Sequence, residues 1–305
     1  MSAVDLPPAV DAERRELTGR SGRLSCYVAG EGAPVLLLHS VNAAASVYEV
    51  RPAFEHARRS HRVYAPDLPG YGFSDRSARR YDIALFCDAV RDVLDEIEAD
   101  AGARPVDALA LSLSAEFLVR VAAAEPARFR SLTLVTPTGF RRGSSRLRAA
   151  SGASREVPGL YPVLTFPLWR GALFGALVSR ASIRYFLQRT YGSKSVDEGL
   201  VEYAWRTTRQ PGAERAPYAF LSGRLFSADV RALYERLALP VWLAHGTHGD
   251  FRDFSEADWV HGRPNWRVQS FDTGALVYFE QPRQFFAGWD AFLAQPVTPR
   301  RRESS

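Results

Sequence analysis

Lysine and cysteine are scarce in this sequence, and its one long apolar run is interrupted. Of the 39 basic residues in the 305-residue chain only Lys194 is a lysine, so arginine dominates the formal net charge of +5. The basic runs at 141–142 and 300–302 are short, which is typical of a solvated surface rather than a nucleic-acid footprint. We therefore expect no nucleic-acid partner.

The two cysteines, Cys26 and Cys87, do not form a C-x-x-C pair. This pattern predicts free thiols in a reducing compartment and no metal site. Residues 1–20 lack the apolar stretch of a secretory signal. The sequence therefore predicts a cytoplasmic protein that needs no metal and no organic cofactor.

One apolar stretch, LYPVLTFPLWRGALFGALVS at 160–179, is long enough to raise the question of a membrane span. Pro162, Pro167 and Arg170 fall inside it, and each of them disfavours a spanning helix. We interpret the stretch as an apolar lid helix that covers a pocket. Contact with a membrane surface is the alternative, and no transmembrane segment is expected.

Short apolar runs alternate with amphipathic stretches over most of the chain. The predicted strands lie at 34–40, 61–70, 106–112, 131–139, 239–247 and 266–274, and the predicted helices at 46–59, 82–100, 113–126 and 281–295. Asp82 is a candidate N-cap of the second helix. This alternation predicts a parallel, doubly wound sheet with helices on both faces.

The alternation is interrupted at 141–228, where the sequence is rich in aromatic residues and helical in texture. Insertions of this kind commonly sit over a site at the carboxyl ends of the strands. We therefore predict a core at 15–140, a helical lid at 141–228, the rest of the core at 229–296 and a disordered tail at 297–305. Residues 1–14 are expected to form a second loose tail.

A serine stands at one strand–helix junction, in ALALSLSAEF. Ser112 has Ala110 and Ser114 two residues to either side, so the small side chains that a sharp turn needs are present, although both glycines of the G-x-S-x-G pattern are missing. The segment resembles the nucleophile elbow of the α/β-hydrolase superfamily. Taken alone, a serine at such a junction is more often a helix N-cap.

Other segments extend this resemblance to roughly residues 20–296. PVLLLHSVNAAA is similar to the family's loop after an early strand, with Ser40 in place of glycine, and APDLPGYGFSD, PTGF, PVWLAHG and FEQP follow in the family's order. The resemblance implies the α/β-hydrolase fold, a mostly parallel doubly wound sheet with a helical lid insertion. Because one fold hosts many functions, the resemblance alone does not imply activity.

The resemblance also implies roles for individual residues. Ser112 would be the nucleophile, and the backbone N–H groups of Leu113 and Val41 would form the oxyanion hole beside a helix N-terminus. The catalytic acid should follow PVWLAHG, where Asp250 has the more usual spacing and Asp253 is the alternative. Either aspartate could instead cap its loop.

The position that should carry the catalytic histidine is Ala275, in FDTGALVYFEQP, and no histidine follows His261. A serine hydroxyl is a weak nucleophile without a base. Losing the histidine of a triad costs on the order of a millionfold in turnover and leaves roughly a thousandfold from the oxyanion hole and binding. The sequence therefore predicts a degenerate catalytic triad.

Three side chains are candidate substitute bases. His248 lies in the same loop as Asp250, and His39 lies beside the oxyanion loop. Glu116 is one helical turn after Ser112 and on the same helix face. It could act as a base, but we favour a structural role in which it holds neighbouring loops by hydrogen bonds.

Two classes of function are compatible with these residues. The retained Ser112, its small flanking residues and the lid favour a hydrolase-like enzyme on a small apolar ester or acyl-type substrate, with a non-standard or missing general base. The alternative is a non-catalytic, hydrolase-like protein that binds a small molecule or serves as a scaffold. Either a monomer or a homodimer fits the sequence.

Overall fold

The computed structural model of the protein describes residues 4–144 and 152–295. Within these ranges eight strands form one sheet: β1 (Glu13–Gly19), β2 (Gly22–Ala29), β3 (Ala33–Leu38), β4 (His61–Asp67), β5 (Val106–Leu111), β6 (Phe129–Val135), β7 (Val241–Gly246) and β8 (Trp266–Phe271). The predicted tail at 297–305 lies outside the described residues.

Twelve α-helices are described in the same ranges. They are α1 (Arg51–Ala57), α2 (Ile83–Ala101), α3 (Ser114–Ala124), α4 (Leu160–Leu164), α5 (Arg170–Leu177), α6 (Arg180–Tyr191), α7 (Glu198–Thr207), α8 (Arg215–Leu221), α9 (Val230–Glu235), α10 (Asp258–His261), α11 (Val277–Glu280) and α12 (Pro282–Leu293). Two short 3₁₀ helices, Val47–Val50 and Pro126–Arg128, precede α1 and β6. Asp82 caps α2, since its carboxylate accepts the N–H of Leu85 at 3.1 Å.

The strands lie in the order β1-β2-β4-β3-β5-β6-β7-β8. All neighbouring pairs from β4 to β8 are parallel, and only the pairs β1–β2 and β2–β4 are antiparallel. The prediction of a mostly parallel sheet is confirmed. Every residue of β5 is buried, as expected of a strand that helices cover on both faces.

Alternate residues of the central strands pack in two apolar clusters, one on each face of the sheet. Leu36 and Leu38 of β3 pack in the cluster that holds Phe86 of α2 and Phe117 of α3. Leu37, between them, packs in the cluster that contains α1 and α12. Because successive side chains of a strand point to opposite faces, helices can pack on both faces of the sheet.

The pattern of the sequence does not predict the β1–β2 hairpin. Strand β1 reads ERRELTG, and Leu17 is its one buried side chain, so the apolar periodicity is weak. Glu13 pairs with Val28 and Arg14 with Tyr27. These residues belong to the sheet, so assigning all of 1–14 to a loose tail is wrong. Three earlier side chains are also buried, those of Leu6, Ala9 and Val10.

Helices α4 to α8 lie between β6 and α9, in the segment predicted as a lid. An isolated antiparallel bridge joins Ser154 to Ser227, so the two ends of the segment meet. The stretch 160–179 forms α4 and α5 rather than one helix. Pro167 lies between them, and a proline also disfavours helical backbone in the residue before it. None of the helices in the described ranges is long and apolar enough to cross a membrane.

The loop after β4 is fixed by a buried carboxylate. Asp67 accepts the N–H of Phe73 at 2.9 Å and that of Val47 at 3.4 Å. Gly72 has φ +48°, and a Cβ on it would lie 1.9 Å from Cγ of Asp67, so no larger residue fits there. Burial raises the pKa of Asp67 to about 6.

We predict that Asp67 makes stability depend on pH between about 4 and 6. The folded state binds this proton more tightly than the unfolded chain, whose aspartates have a pKa near 3.9. The free energy of unfolding should therefore fall by about 3 kcal/mol, relative to an Asp67→Asn variant, as pH rises through this window. Urea unfolding of both proteins from pH 4 to 7 measures the difference, and parallel profiles would contradict the prediction.

Candidate active site

Ser112 lies at a strained turn between β5 and α3. Its φ is +57°, and among the described residues only Thr136 shares a positive φ without being glycine. The backbone N–H of Ser112 donates to the carbonyl of Val135, the last residue of β6, at 2.9 Å. A non-glycine residue in this conformation costs about 1–3 kcal/mol and persists only where its surroundings impose it.

The small residues that flank Ser112 are buried between the sheet and α3. Ala110 has no solvent-exposed surface, and the Ser114 hydroxyl donates to the backbone carbonyl of His39. That hydrogen bond joins the start of α3 to the loop after β3. The two side chains are therefore small enough for the turn, and Ser114 adds a hydrogen bond that a glycine could not make.

Two backbone N–H groups, one in the loop after β3 and one at the start of α3, have no partner in the described part of the chain. Val41, in the loop after β3, and Leu113, at the start of α3, are both buried. Among the described residues neither N–H group has a hydrogen-bond acceptor. Buried N–H groups are rarely left unpaired, so each of these two is available to a further hydrogen-bond acceptor.

The carboxylate of Glu49 holds the loop that contains Val41. Its Oε2 accepts the N–H of Ser40 at 2.9 Å, and its Oε1 accepts from Nδ2 of Asn42 at 2.8 Å. Burial raises the pKa of Glu49. The sequence analysis missed this residue, whose one signal is an acid inside an otherwise apolar segment, SVYEV.

Ala275 lies next to the end of β6. Its N–H donates to the carbonyl of Thr190, at the end of the lid helix α6, at 2.9 Å. Its own carbonyl accepts from the hydroxyl of Thr136 at 2.8 Å. Thr136 directly follows Val135, which binds the N–H of Ser112, so the loop expected to carry a histidine reaches the strand ends beside Ser112. Thr136 is a second residue that sequence reasoning missed.

His39 is buried, and both of its ring nitrogens are engaged. Its Nε2 accepts the N–H of Leu68 at 2.9 Å, so the proton is on Nδ1, which lies 2.6 Å from the carbonyl oxygen of Ser40. Burial lowers the pKa of His39 to about 4. The imidazole therefore has no free lone pair to receive a proton from Ser112.

His248 lies at the surface. Its side chain is 51% exposed, and its Nε2 is 2.9 Å from Oδ1 of Asp272, which is itself 81% exposed. Its backbone N–H donates to the carbonyl of Thr273 at 2.9 Å. The ring is directed to an acidic partner in the loop after β8, and no described contact joins it to Ser112.

Glu116 is fully buried, and both of its carboxylate oxygens are occupied. Oε1 accepts from the hydroxyl of Thr138, in the loop after β6, and Oε2 accepts the N–H of Ser227 at 2.6 Å. Burial raises the pKa of Glu116. This carboxylate joins α3 to the loop after β6 and to the end of the lid segment.

Neither candidate acid contacts a histidine among the described residues. Asp250 is exposed, and its two oxygens accept from Nε and Nη2 of Arg189 in α6 at 2.5 and 2.9 Å. Asp253 accepts from the hydroxyl of Ser255 at 2.6 Å and from the N–H of Arg142 at 3.2 Å. Asp250 therefore fastens the loop after β7 to the lid, and Asp253 caps the same loop.

A cavity of about 420 Å³ lies over the end of β6, under the two ends of the lid segment. Its lining is Thr136, Pro137, Thr138, Gly139, Phe140, Arg141, Ser144, Arg155, Gly223, Phe226, Asp250, Phe251, Asp253 and Phe254. In the described ranges no group of three or more His, Cys, Asp or Glu side chains is arranged to hold a metal ion. That no cofactor is needed stays a prediction.

A sequence model of the Alpha/beta hydrolase family matches residues 35–294. Because this match spans most of the chain, the chain belongs to the alpha/beta hydrolase family. The fold implied by the resemblance of the elbow and the strand-end loops is confirmed.

Among curated relatives, 2-hydroxymuconate semialdehyde hydrolase of Pseudomonas sp. (strain CF600) is 24% identical over 203 residues, which cover 65% of this chain and only 62% of that protein. A solved serine hydrolase involved in carbazole degradation (CarC enzyme) gives a TM-score of 0.72 at 15% identity, covering 93% of this chain and 99% of that one. The epoxide hydrolase CorEH gives 0.70 at 21% identity, covering 92% and 98%. At these identities the structural similarity supports a shared fold alone.

We predict that Ser112→Gly is more stable than Ser112→Ala by about 0.5–1 kcal/mol. Both variants lack the hydroxyl, but glycine adopts a φ near +57° without strain because it has no Cβ to clash with the backbone. Urea unfolding measures the difference. In the regular helix α3 the same comparison should reverse, with Ala123→Gly losing up to about 1 kcal/mol. If Ser112→Ala were as stable as Ser112→Gly, the backbone at position 112 would not be strained.

Proposed function

We propose that this protein binds a small, largely apolar ester or acyl-type compound beside Ser112, and that it does not hydrolyse such compounds by the triad route. The carbonyl oxygen of the ligand accepts from the N–H groups of Val41 and Leu113. Ser112 contributes a hydroxyl that donates or accepts a hydrogen bond. The protein acts mainly as a ligand-binding member of its family.

One observation carries this proposal: each of the three candidate bases for Ser112 is engaged elsewhere. His39 has hydrogen bonds at both nitrogens, Glu116 has them at both oxygens, and His248 pairs with Asp272 at the surface. The oxyanion donors remain unpaired. The geometry therefore favours recognition of a carbonyl oxygen over activation of a nucleophile.

The position of Asp250 supports the same conclusion. In a triad the acid orients the histidine, so its carboxylate must face the imidazole. Here the carboxylate is exposed and paired with Arg189 of the lid. Since alanine occupies the histidine position, the role that remains for Asp250 is the ion pair that joins the loop after β7 to the lid.

A second candidate function is an enzyme whose substrate supplies the base. The strained backbone of Ser112 favours it, because a conformation that costs about 1–3 kcal/mol is commonly kept where a side chain has a role. A basic group on the substrate would accept the Ser112 proton as the carbonyl oxygen gains charge in the donor pair. Turnover of any member of an ester and thioester panel that is lost in Ser112→Ala would favour this candidate.

We predict that Ala275→His restores ester hydrolysis that depends on Ser112. The new imidazole lies on a loop already tied to Thr136 beside Ser112, and a positioned general base contributes about 10²–10⁴-fold. The hydrolysis rate of 4-nitrophenyl butyrate by Ala275→His should therefore exceed that of the control Ala275→Gln by at least about a hundredfold.

One further variant and the wild-type protein complete this test. The double variant Ser112→Ala/Ala275→His should hydrolyse the ester no faster than Ala275→Gln, because the imidazole then has no nucleophile to activate. The wild-type protein should resemble Ala275→Gln. Wild-type hydrolysis as fast as that of Ala275→His, and lost in Ser112→Ala, would contradict the proposal because it requires a base already present.

A further inference from the structure

Arg155 lies in the wall of the cavity over β6, and its charge is uncompensated by direct contact. It follows Ser154, which bridges to Ser227 at the base of the lid. Its guanidinium lies over the ring of Phe226, 4.9 Å from the ring centroid. Its Nε is buried without a hydrogen-bond partner, and no described residue forms an ion pair with it. One face of the guanidinium is therefore covered, while its N–H groups make no hydrogen bond to any described residue.

The carboxylates around the cavity do not neutralise Arg155 by contact. Glu116 is near enough to act on its charge, but both oxygens of Glu116 are held by Thr138 and Ser227. At the rim, Asp250 is paired with Arg189 and Asp253 with the backbone of Arg142. The acids that line the cavity or lie under it are thus satisfied by other donors.

A second arginine increases the positive potential of the same cavity. Arg141 also lines it and forms no ion pair with a described residue. Burial and, to a smaller extent, the charge of Arg141 lower the pKa of Arg155, while Glu116 opposes them. A buried cation next to a like charge is costly unless an anion pairs with it. The apolar part of the wall is formed mainly by the rings of Phe140, Phe226 and Phe254.

We propose that this cavity binds a small organic acid with an apolar body, and that Arg155 holds its carboxylate. A guanidinium fork matches a carboxylate with two parallel N–H···O hydrogen bonds. The apolar body packs against Phe140, Phe226 and Phe254. The inference rests on the proposed small-molecule function and extends it from Ser112 to this cavity, which is lined by Thr136, directly after the residue that binds the N–H of Ser112.

Isothermal titration calorimetry with matched acids and amides tests this assignment. The probes are arylalkanoic acids, such as 4-phenylbutyrate, and their uncharged primary amides, each titrated into the full chain. The wild-type protein should bind the acid at least about tenfold more tightly than its amide, as expected for a charge-assisted hydrogen-bonded pair. In Arg155→Gln this ratio should fall to about one while the affinity for the amide is unchanged.

Two controls separate the role of Arg155 from general charge and from folding. Arg104→Gln removes an exposed arginine just before β5, at the amino ends of the parallel strands and away from the cavity. This variant should keep the wild-type ratio. Arg155→Lys keeps the charge without the fork and should retain part of the preference. This variant keeps the assignment testable if Arg155→Gln fails to fold.

The outcomes distinguish the two proposals. Equal binding of acid and amide by the wild-type protein, or an unchanged ratio in Arg155→Gln, would overturn the role of Arg155 and leave the small-molecule function standing. Absence of binding by every acid and every amide would overturn both. Binding of the acid alone, lost in Arg155→Gln, would support both.

Discussion

The left-handed backbone of Ser112 is the constraint on which the site depends. The last hydrogen bond of the β5–β6 pair, from the N–H of Ser112 to Val135, fixes the turn at the point where strand becomes helix. The turn places the N–H of Leu113 at the start of α3, and the hydroxyl of Ser114 joins this helix start to the loop that contains Val41. Two parallel strands, the N-terminus of α3 and the loop held by Glu49 thus meet around Ser112, where the proposed ligand would bind.

Around Ser112, the candidate bases and the candidate acid make structural hydrogen bonds. His39 supports the loop after β4, Glu116 ties α3 to the lid segment, and Asp250 fastens the lid helix α6 to the core. The carbonyl of Thr190, in the same helix, holds the N–H of Ala275. Helix α6 is therefore hydrogen-bonded both to the loop that contains Asp250 and to the loop that contains Ala275. This arrangement favours a closed, ligand-holding site.

The sequence predicts the sheet, the elbow and the position of Ala275 because these depend on local patterns: apolar runs, small residues at a sharp turn, and glycine-rich loops. It does not predict the polar hairpin β1–β2, in which Leu17 is the single buried residue of β1. Nor does it predict that Asp250 pairs with Arg189 or that Arg155 lies beside Phe226. These contacts join residues about 60 and 70 positions apart, and tertiary packing alone decides them.

Intact-mass analysis after exposure to a fluorophosphonate probe tests the central claim most directly, because such probes report an activated serine rather than a particular substrate. The account predicts no adduct on the wild-type protein over a time in which Ala275→His gains one adduct at Ser112. Labelling of the wild-type protein that disappears in Ser112→Ala would contradict it, since a base for Ser112 would then exist in the folded chain.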